Sequence, residues 1–354
     1  MFKPVRHLIG TAVLAVLTAV AVLLAKLLPE FWFSFYTDFS RGAIGFLDTV
    51  WGWCPFPVWE ILLVLLLVVA VVIGLIAAIR KKRVLGWLTA LLELVMLLVF
   101  LFVGLWGLNH FAPTIGEQTG LEVGEYTTAQ LKAAAIYYAD MASVYSTTVD
   151  RDENGDVIIP EISALSEEAV SAYKRLAEYN DRFALSISGA KPLLSSKAFA
   201  YMGTTGIFIC FTGEACVSTE TFGLSQPFTL SHELGHSLAV AREDEANYLA
   251  FLACRASERE LFRYSGYYSA FIYCYNALYA ESPSTARSLW DRCSEQVIHD
   301  SNVHVEHNKQ YEGTVQKAAR AVNDAYLKTF SEPGVKSYGL VVDYLIAEYL
   351  NNGQ

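Results

Sequence analysis

The sequence predicts a mainly α-helical membrane protein: three transmembrane helices, then an α-rich domain that carries a small sheet. Three observations lead there. Of 354 residues, 54% are apolar and only 18% are charged, giving a mean hydropathy of +0.33, whereas soluble domains run near a quarter charged. The apolar residues are concentrated in three uninterrupted runs before residue 110. Charge divides at the same place: residues 1–110 carry net +3 and residues 111–354 net −13. The chain therefore reads as a membrane domain, 1–110, joined to a polar domain, 111–354. This composition excludes a cytosolic single-domain enzyme, a disordered chain and a disulfide-dense miniprotein. An acidic polar domain also repels phosphate, which argues against nucleic acid as a partner.

The runs cover about 8–28, 58–79 and 84–108, and each reaches the ~20 residues that a helix needs to cross a ~30 Å hydrocarbon core. Lipid offers no partner to an open backbone, so the runs are helices and the bilayer is their partner. The first run is longer than the apolar core of a cleaved signal peptide, and no small-x-small site follows it. Lys3 and Arg6 precede that run, Arg80-Lys81-Lys82-Arg83 separates the second from the third, and the 29–57 connector holds Arg41 alone. The positive-inside rule then places the N-terminus and the 80–83 turn in the cytoplasm of a multi-pass cell-membrane protein, with residues from about 110 onward outside. Phe31, Trp32, Phe33, Trp51, Trp53 and Trp59 suit the membrane interface. Glu93 lies inside the third span with no partner evident in the sequence, and reads as a protonated or water-bonded packing residue.

In the outer half, helical patterns run through about 128–144, 164–181, 227–238, 242–258, 262–281, 284–300, 307–330 and 337–350. Gly206-Ile-Phe-Ile-Cys-Phe211 is the strongest strand candidate, with turn residues on both sides. Asp150–Asp156 reads as a solvated loop, because the later positions of a calcium loop do not follow. Cys210 and Cys216 either bridge in an oxidising compartment or stay as small buried thiols. No C-x-x-C pair suggests a thiolate metal site. The tyrosines between Tyr264 and Tyr279 recur at helical spacing and read as the core of a helix pair.

The chemistry concentrates in His232-Glu233-Leu234-Gly235-His236. On a helix, capped by Thr229 or Ser231 at its start, the two histidines stand four residues apart and project from one face, where they can share a metal ion. Glu233 lies about 100° round the helix, beside the metal, where it can take a proton from water. A catalytic zinc has three protein ligands and an open position. Two glutamates compete for the third place, Glu243 and Glu245. Ala246, Ala250 and Ala253 form a small-residue stripe that Glu243 continues, while Glu245 faces about 200° away from Glu243. Periodicity favours Glu243, leaves Glu245 to hold Arg242 or water, and puts Asn247 within reach of a ligand histidine.

A helix that begins E-x-x-A-[DN] after H-E-x-x-H resembles the ligand helix of gluzincin metallopeptidases, with Glu243 matching the ligand and Asn247 standing where many members have Asp. A wider set of motifs extends the likeness: Phe211–Ala215, Pro227–Thr229, His232–His236, Arg242–Leu252 and Arg263–Gly266, together with Pro55-Phe56, Trp106–Asn109 and Ser337–Asp343. In their order these are similar to a bacterial membrane family catalogued as domain of unknown function 3810 (DUF3810). The resemblance implies three spans followed by a zincin-like outer domain with one catalytic Zn2+ held by His232, His236 and Glu243, and Glu233 as the catalytic base. By the same analogy the 206–211 strand would hold an extended peptide, and Glu214 would bind a substrate amine or cap a turn. Tyr338, His304 and His307 are candidates for stabilising the oxyanion.

The functional expectation is a membrane-anchored zinc metallopeptidase acting on peptides or proteins outside the cytoplasm. Two rivals remain open: a non-catalytic binding or sensor module with a structural metal, and a zinc hydrolase of non-peptide envelope amides.

Overall fold

The computed structural model describes residues 3–80, 83–330 and 339–352. The chain is mainly helical, with one small sheet, and it divides into two compact units. The first contains Met1–Ala112 and Ile209–Glu214; the second contains Pro113–Phe208 and Ala215–Gln354. The linear division near residue 110 does not anticipate that a six-residue piece, 209–214, groups with the first unit.

The first unit comprises α1 (Lys3–Leu27), α2 (Pro29–Phe33), α3 (Tyr36–Trp51), α4 (Val58–Ile79) and α5 (Val84–Leu105). Three segments are long and apolar enough to cross a membrane: Pro4–Leu27, Val58–Ile79 and Val84–Leu105. Only 6%, 6% and 11% of their most apolar stretches are buried by protein, so their leucines and valines need lipid as solvent. The third span ends three residues earlier than its apolar run, because Gly107–Phe111 tightens into a 3-10 turn. α1 packs along α5, and this packing corrects the reading of Glu93. The carboxylate meets His7 Nδ1 at 2.5 Å, in a niche that exists because residue 10 is glycine; a Cβ there would collide with Glu93. The pair is 86 residues apart in sequence, so no local pattern announces it.

α4 begins after Pro57 with no side-chain cap of its own. The Glu214 carboxylate supplies one, accepting the backbone N–H groups of Val58 (2.9 Å) and Trp59 (3.0 Å). It thereby satisfies donors that every helix start leaves open, and its charge suits the positive end of the helix. This corrects the substrate-amine expectation for Glu214. The adjacent Gly213 has φ +68°, and a Cβ on it would stand 2.8 Å from the Ile44 carbonyl oxygen, so both its conformation and the close approach require glycine.

The second unit comprises α6 (Ile115–Thr119), α7 (Thr128–Ser146), α8 (Ile162–Tyr179), β1 (Ala190–Pro192), α9 (Ser196–Met202), β2 (Gly206–Ile209), β3 (Glu214–Val217), α10 (Gln226–His236), α11 (Glu243–Ala256), α12 (Glu260–Glu281), α13 (Pro283–Arg287), α14 (Glu295–Lys309), α15 (Thr314–Phe330) and α16 (Val341–Asn352). Ile209 and Glu214, the strand ends that flank the turn, group with the first unit. The sheet order is β1-β3-β2, with β1 parallel to β3 in the register Ala190↔Ala215, Lys191↔Cys216, Pro192↔Val217. β2 is therefore an edge strand, and all four of its residues are half-buried. It stops two residues short of the expected 206–211 run, which turns at Cys210 to feed β3.

The core lies where α10, α11 and α12 stack. Ala246, Ala250 and Ala253 are fully buried, as their stripe predicts. Gly266 of α12 lets α11 approach until a Cβ would stand 2.6 Å from the Cys254 Cβ. Tyr264, Tyr267 and Tyr268 are core residues, with Tyr267 stacked on Tyr145 at 5.4 Å. Several expected boundaries shift. α10 starts at Gln226 with Pro227 in its first turn, a position proline favours. Thr229 and Ser231 therefore lie within the helix, and the Ser231 hydroxyl donates to the Pro227 carbonyl at 2.8 Å. The expected 284–300 helix divides because Ser294 caps a new start, accepting from Val297 N–H. Trp290 meanwhile packs on Phe271 and Tyr275. The 307–330 pattern divides between α14 and α15. All six cysteines are free thiols, so Cys210 and Cys216 are unbridged.

Candidate metal centre

Every residue of α10 is buried, so the polar groups of this short helix face the protein interior. His232 and His236, one turn apart, bring their Nε2 atoms to 3.1 Å with the rings at 89°. Each ring is oriented from behind. His232 Nδ1 lies 2.8 Å from Asn247 Oδ1, and His236 Nδ1 lies 2.7 Å from the Val240 carbonyl oxygen. Both oxygens accept, so each Nδ1 carries the hydrogen and each Nε2 lone pair points into the cluster. Val240 reaches its place through a tight reversal after α10 in which Ala239 adopts φ +61°. A side chain in that left-handed region costs roughly 1–2 kcal/mol, so the strain sits beside the histidines.

The same reversal starts α11 at Glu243, whose Oε2 lies 3.2 Å from His232 Nε2 and 3.7 Å from His236 Nε2. Among the described residues these three side chains form a group able to hold a metal ion, their ligand atoms all within 4.8 Å of one another. Donors about 2.05 Å from a tetrahedral zinc stand about 3.3 Å apart, and the three separations of 3.1, 3.2 and 3.7 Å bracket that value. Three acceptor atoms converge there, a donor set that fits a metal cation. Burial works against a charged His232, yet Glu243, Glu233 and Asn247 outweigh it and raise its pKa. His236, for which burial dominates, falls to about 4.

Glu233 lies outside this three-ligand group. Burial, aided by the Glu243 charge and opposed by His232, pushes it up to about 8. It sits against β2: a Cβ on Gly206 would stand 2.5 Å from Glu233 Oε1. Phe208 of the same strand lies 6.3 Å from the His236 ring. The edge strand thus runs past both the glutamate and a histidine of the cluster.

Glu245 is elsewhere. Its Oε1 accepts from Arg242 Nη1 at 2.8 Å and from the Tyr344 hydroxyl at 3.4 Å, and burial pushes it up to about 7. His304 stacks on Phe222 at 4.5 Å and meets the Tyr268 hydroxyl at 3.1 Å; His307 Nε2 bonds the Glu220 carbonyl at 2.8 Å. Neither belongs to the three-ligand group, and Tyr338 lies outside the described residues.

One residue near the centre escapes the sequence reading. Tyr273 of α12 lies with its ring 6.2 Å from Phe228, one turn before His232, and is only half-buried by surface area. Packing density raises its pKa, and the Glu243 charge raises it further. Its hydroxyl has no hydrogen-bond partner among the described residues. The signal was available: Tyr273 is two turns beyond Gly266 on the face of α12 that meets α11, but using it requires knowing that Gly266 opposes Cys254.

Fold and centre together define a class: a membrane protein with three candidate spans and a helical domain that encloses a His-His-Glu cluster. Within that class the chain belongs to the family described as protein of unknown function (DUF3810), whose model matches residues 35–346. No curated protein and no solved structure matches the chain.

Proposed function

We propose that this protein is a membrane-anchored zinc metallopeptidase of the zincin-like type, with its catalytic domain outside the cytoplasm. The observation that carries the reading is the convergence of His232 Nε2, His236 Nε2 and Glu243 Oε2 at separations suited to zinc, with Glu233 beside them and outside the ligand set. A purely structural site has no use for a buried carboxylate at that position.

When held by His232, His236 and Glu243, zinc supplies a Lewis acid that acidifies water and polarises a scissile carbonyl. Glu233, in an environment that raises its proton affinity, accepts the proton of the attacking water and returns it to the leaving amine. Asn247 and the Val240 carbonyl hold the two imidazoles in the required tautomer. As the edge strand of the sheet, β2 is the element that would pair with the backbone of an extended peptide, a mode that binds many sequences alike. Envelope or exported polypeptides are the substrates this placement offers.

The test is cleavage of a mixed peptide library by the full-length protein in detergent. Zinc-dependent cleavage by the parent, and a loss of about 10²–10⁴-fold in Glu233→Gln, is expected for a general base. Equal cleavage by parent and variant would refute the assignment.

A further inference from the structure

The connector between the first two spans carries an apolar face that stays largely exposed among the described residues. Phe35, at the start of α3, and Phe39, Phe46 and Val50 within it are 47%, 53%, 67% and 36% exposed. At about 100° per residue these four fall within an arc of about 60°. Trp53, just past the helix, continues the arc and is 77% exposed. The neighbouring arc is different: Tyr36, Ser40 and Ile44 are buried. The third arc carries Thr37, Asp38, Arg41 and Asp48. α3 is thus a three-faced helix, with one face packed, one polar, and one apolar and bare.

Its depth is set by hydrogen bonds. The Tyr36 hydroxyl donates to the Val103 carbonyl at 3.1 Å, and the Ser40 hydroxyl donates to the Leu105 carbonyl at 2.7 Å. Those are among the last residues of the third span. Asn109, just beyond, donates to Ser40 Oγ at 2.9 Å. The end of the first span is at the same level, since Lys26 Nζ sits 5.0 Å over the Phe111 ring. α3 is therefore tied to the boundary where spans one and three leave the hydrocarbon, and its chain is tethered by spans at both ends, Leu27 and Val58.

We infer that α3 is an interfacial helix whose Phe35–Phe39–Phe46–Val50 face inserts into the lipid between headgroups and acyl chains. Lipid is the occupant because the bare face is continuous with the spans that flank it, and because aromatic side chains on an amphipathic helix prefer that depth. The structure also revises which aromatics serve there. Trp32 stacks on Tyr36 at 5.9 Å and is half-buried, whereas Phe39 and Phe46, absent from the sequence-based cluster, project outward.

The test uses the full chain reconstituted in phosphatidylcholine vesicles, with Cys293→Ser removing the half-exposed native thiol. Nitroxide labels are placed at Phe39→Cys, Phe46→Cys and, as the polar-face control, Asp38→Cys. All three positions are exposed, so labelling leaves the packed face of α3 untouched. Relaxation by oxygen, which partitions into lipid, is compared with relaxation by a water-soluble nickel chelate. The labels at 39 and 46 should show an oxygen-to-nickel ratio severalfold above that at 38, at a depth of about 5–10 Å below the headgroups. Equal ratios at the three positions would show the face in water. Exclusion of both reagents at 39 and 46 would show protein covering it. Either result overturns the proposal.

Discussion

Two histidine–carboxylate contacts, one from each unit, look alike and differ in how many acceptor atoms they bring together. His7 and Glu93 make a one-to-one contact at 2.5 Å between α1 and α5. One hydrogen bond joins the two side chains. His232, His236 and Glu243 bring three acceptor atoms together, each imidazole already committing its Nδ1–H outward to Asn247 or Val240. A matched pair joins helices; a buried cluster with an excess of acceptors can accommodate a cation. The same residue types therefore carry different consequences according to what orients them.

Breaking each contact separates the two roles. The largest effect is expected from Glu243→Gln, which removes the only carboxylate of the three-ligand group: bound zinc should vanish from the purified protein by elemental analysis. Glu93→Gln should leave zinc content and cleavage unchanged. Next comes Gly206→Ala. Its new Cβ would lie 2.5 Å from Glu233 Oε1, and displacing a catalytic group by about 1 Å costs on the order of 10²-fold in rate. Zinc content and KM should hold while kcat falls; a kcat equal to the parent's would show that Glu233 has no positional role.

Asn247→Ala sharpens the comparison, because it removes the orienting partner of His232. Zinc affinity, read by competition with a chelator, should fall by about 10–100-fold. Unchanged affinity would mean that the ring is held by packing alone. The smallest effect belongs to the membrane pair. Glu93→Gln retains a hydrogen bond to His7, and polar contacts between spans contribute about 0.6–2 kcal/mol. Thermal unfolding in detergent should therefore shift by no more than a few degrees.

These residues also mark how far the sequence could be read. Spans were legible because a bilayer imposes a one-dimensional rule of length and apolarity. His232, Glu233 and His236 were legible because helical spacing is local, and Glu243 could be chosen over Glu245 because the Ala246–Ala250–Ala253 stripe marks the buried face of one helix. What escaped depends on contacts between distant segments. Glu93 finds His7, Glu214 finds the start of α4, and Gly206 finds Glu233, each through packing that no local period encodes. β3 escaped because four residues are too few to show alternation. Thr229 and Ser231 misled because both are common caps, whereas proline at the first turn set the start of α10. Tyr273 stayed hidden among Tyr264, Tyr267 and Tyr268, which are buried in the core where it is only half-buried.

The most direct measurement is zinc content of the purified full-length protein, for the parent, His236→Ala and Glu233→Gln. The account predicts about one zinc per chain in the parent and in Glu233→Gln, and none in His236→Ala. A folded parent that carries no zinc, even after incubation with the metal, would contradict the metal centre and the hydrolytic chemistry that rests on it.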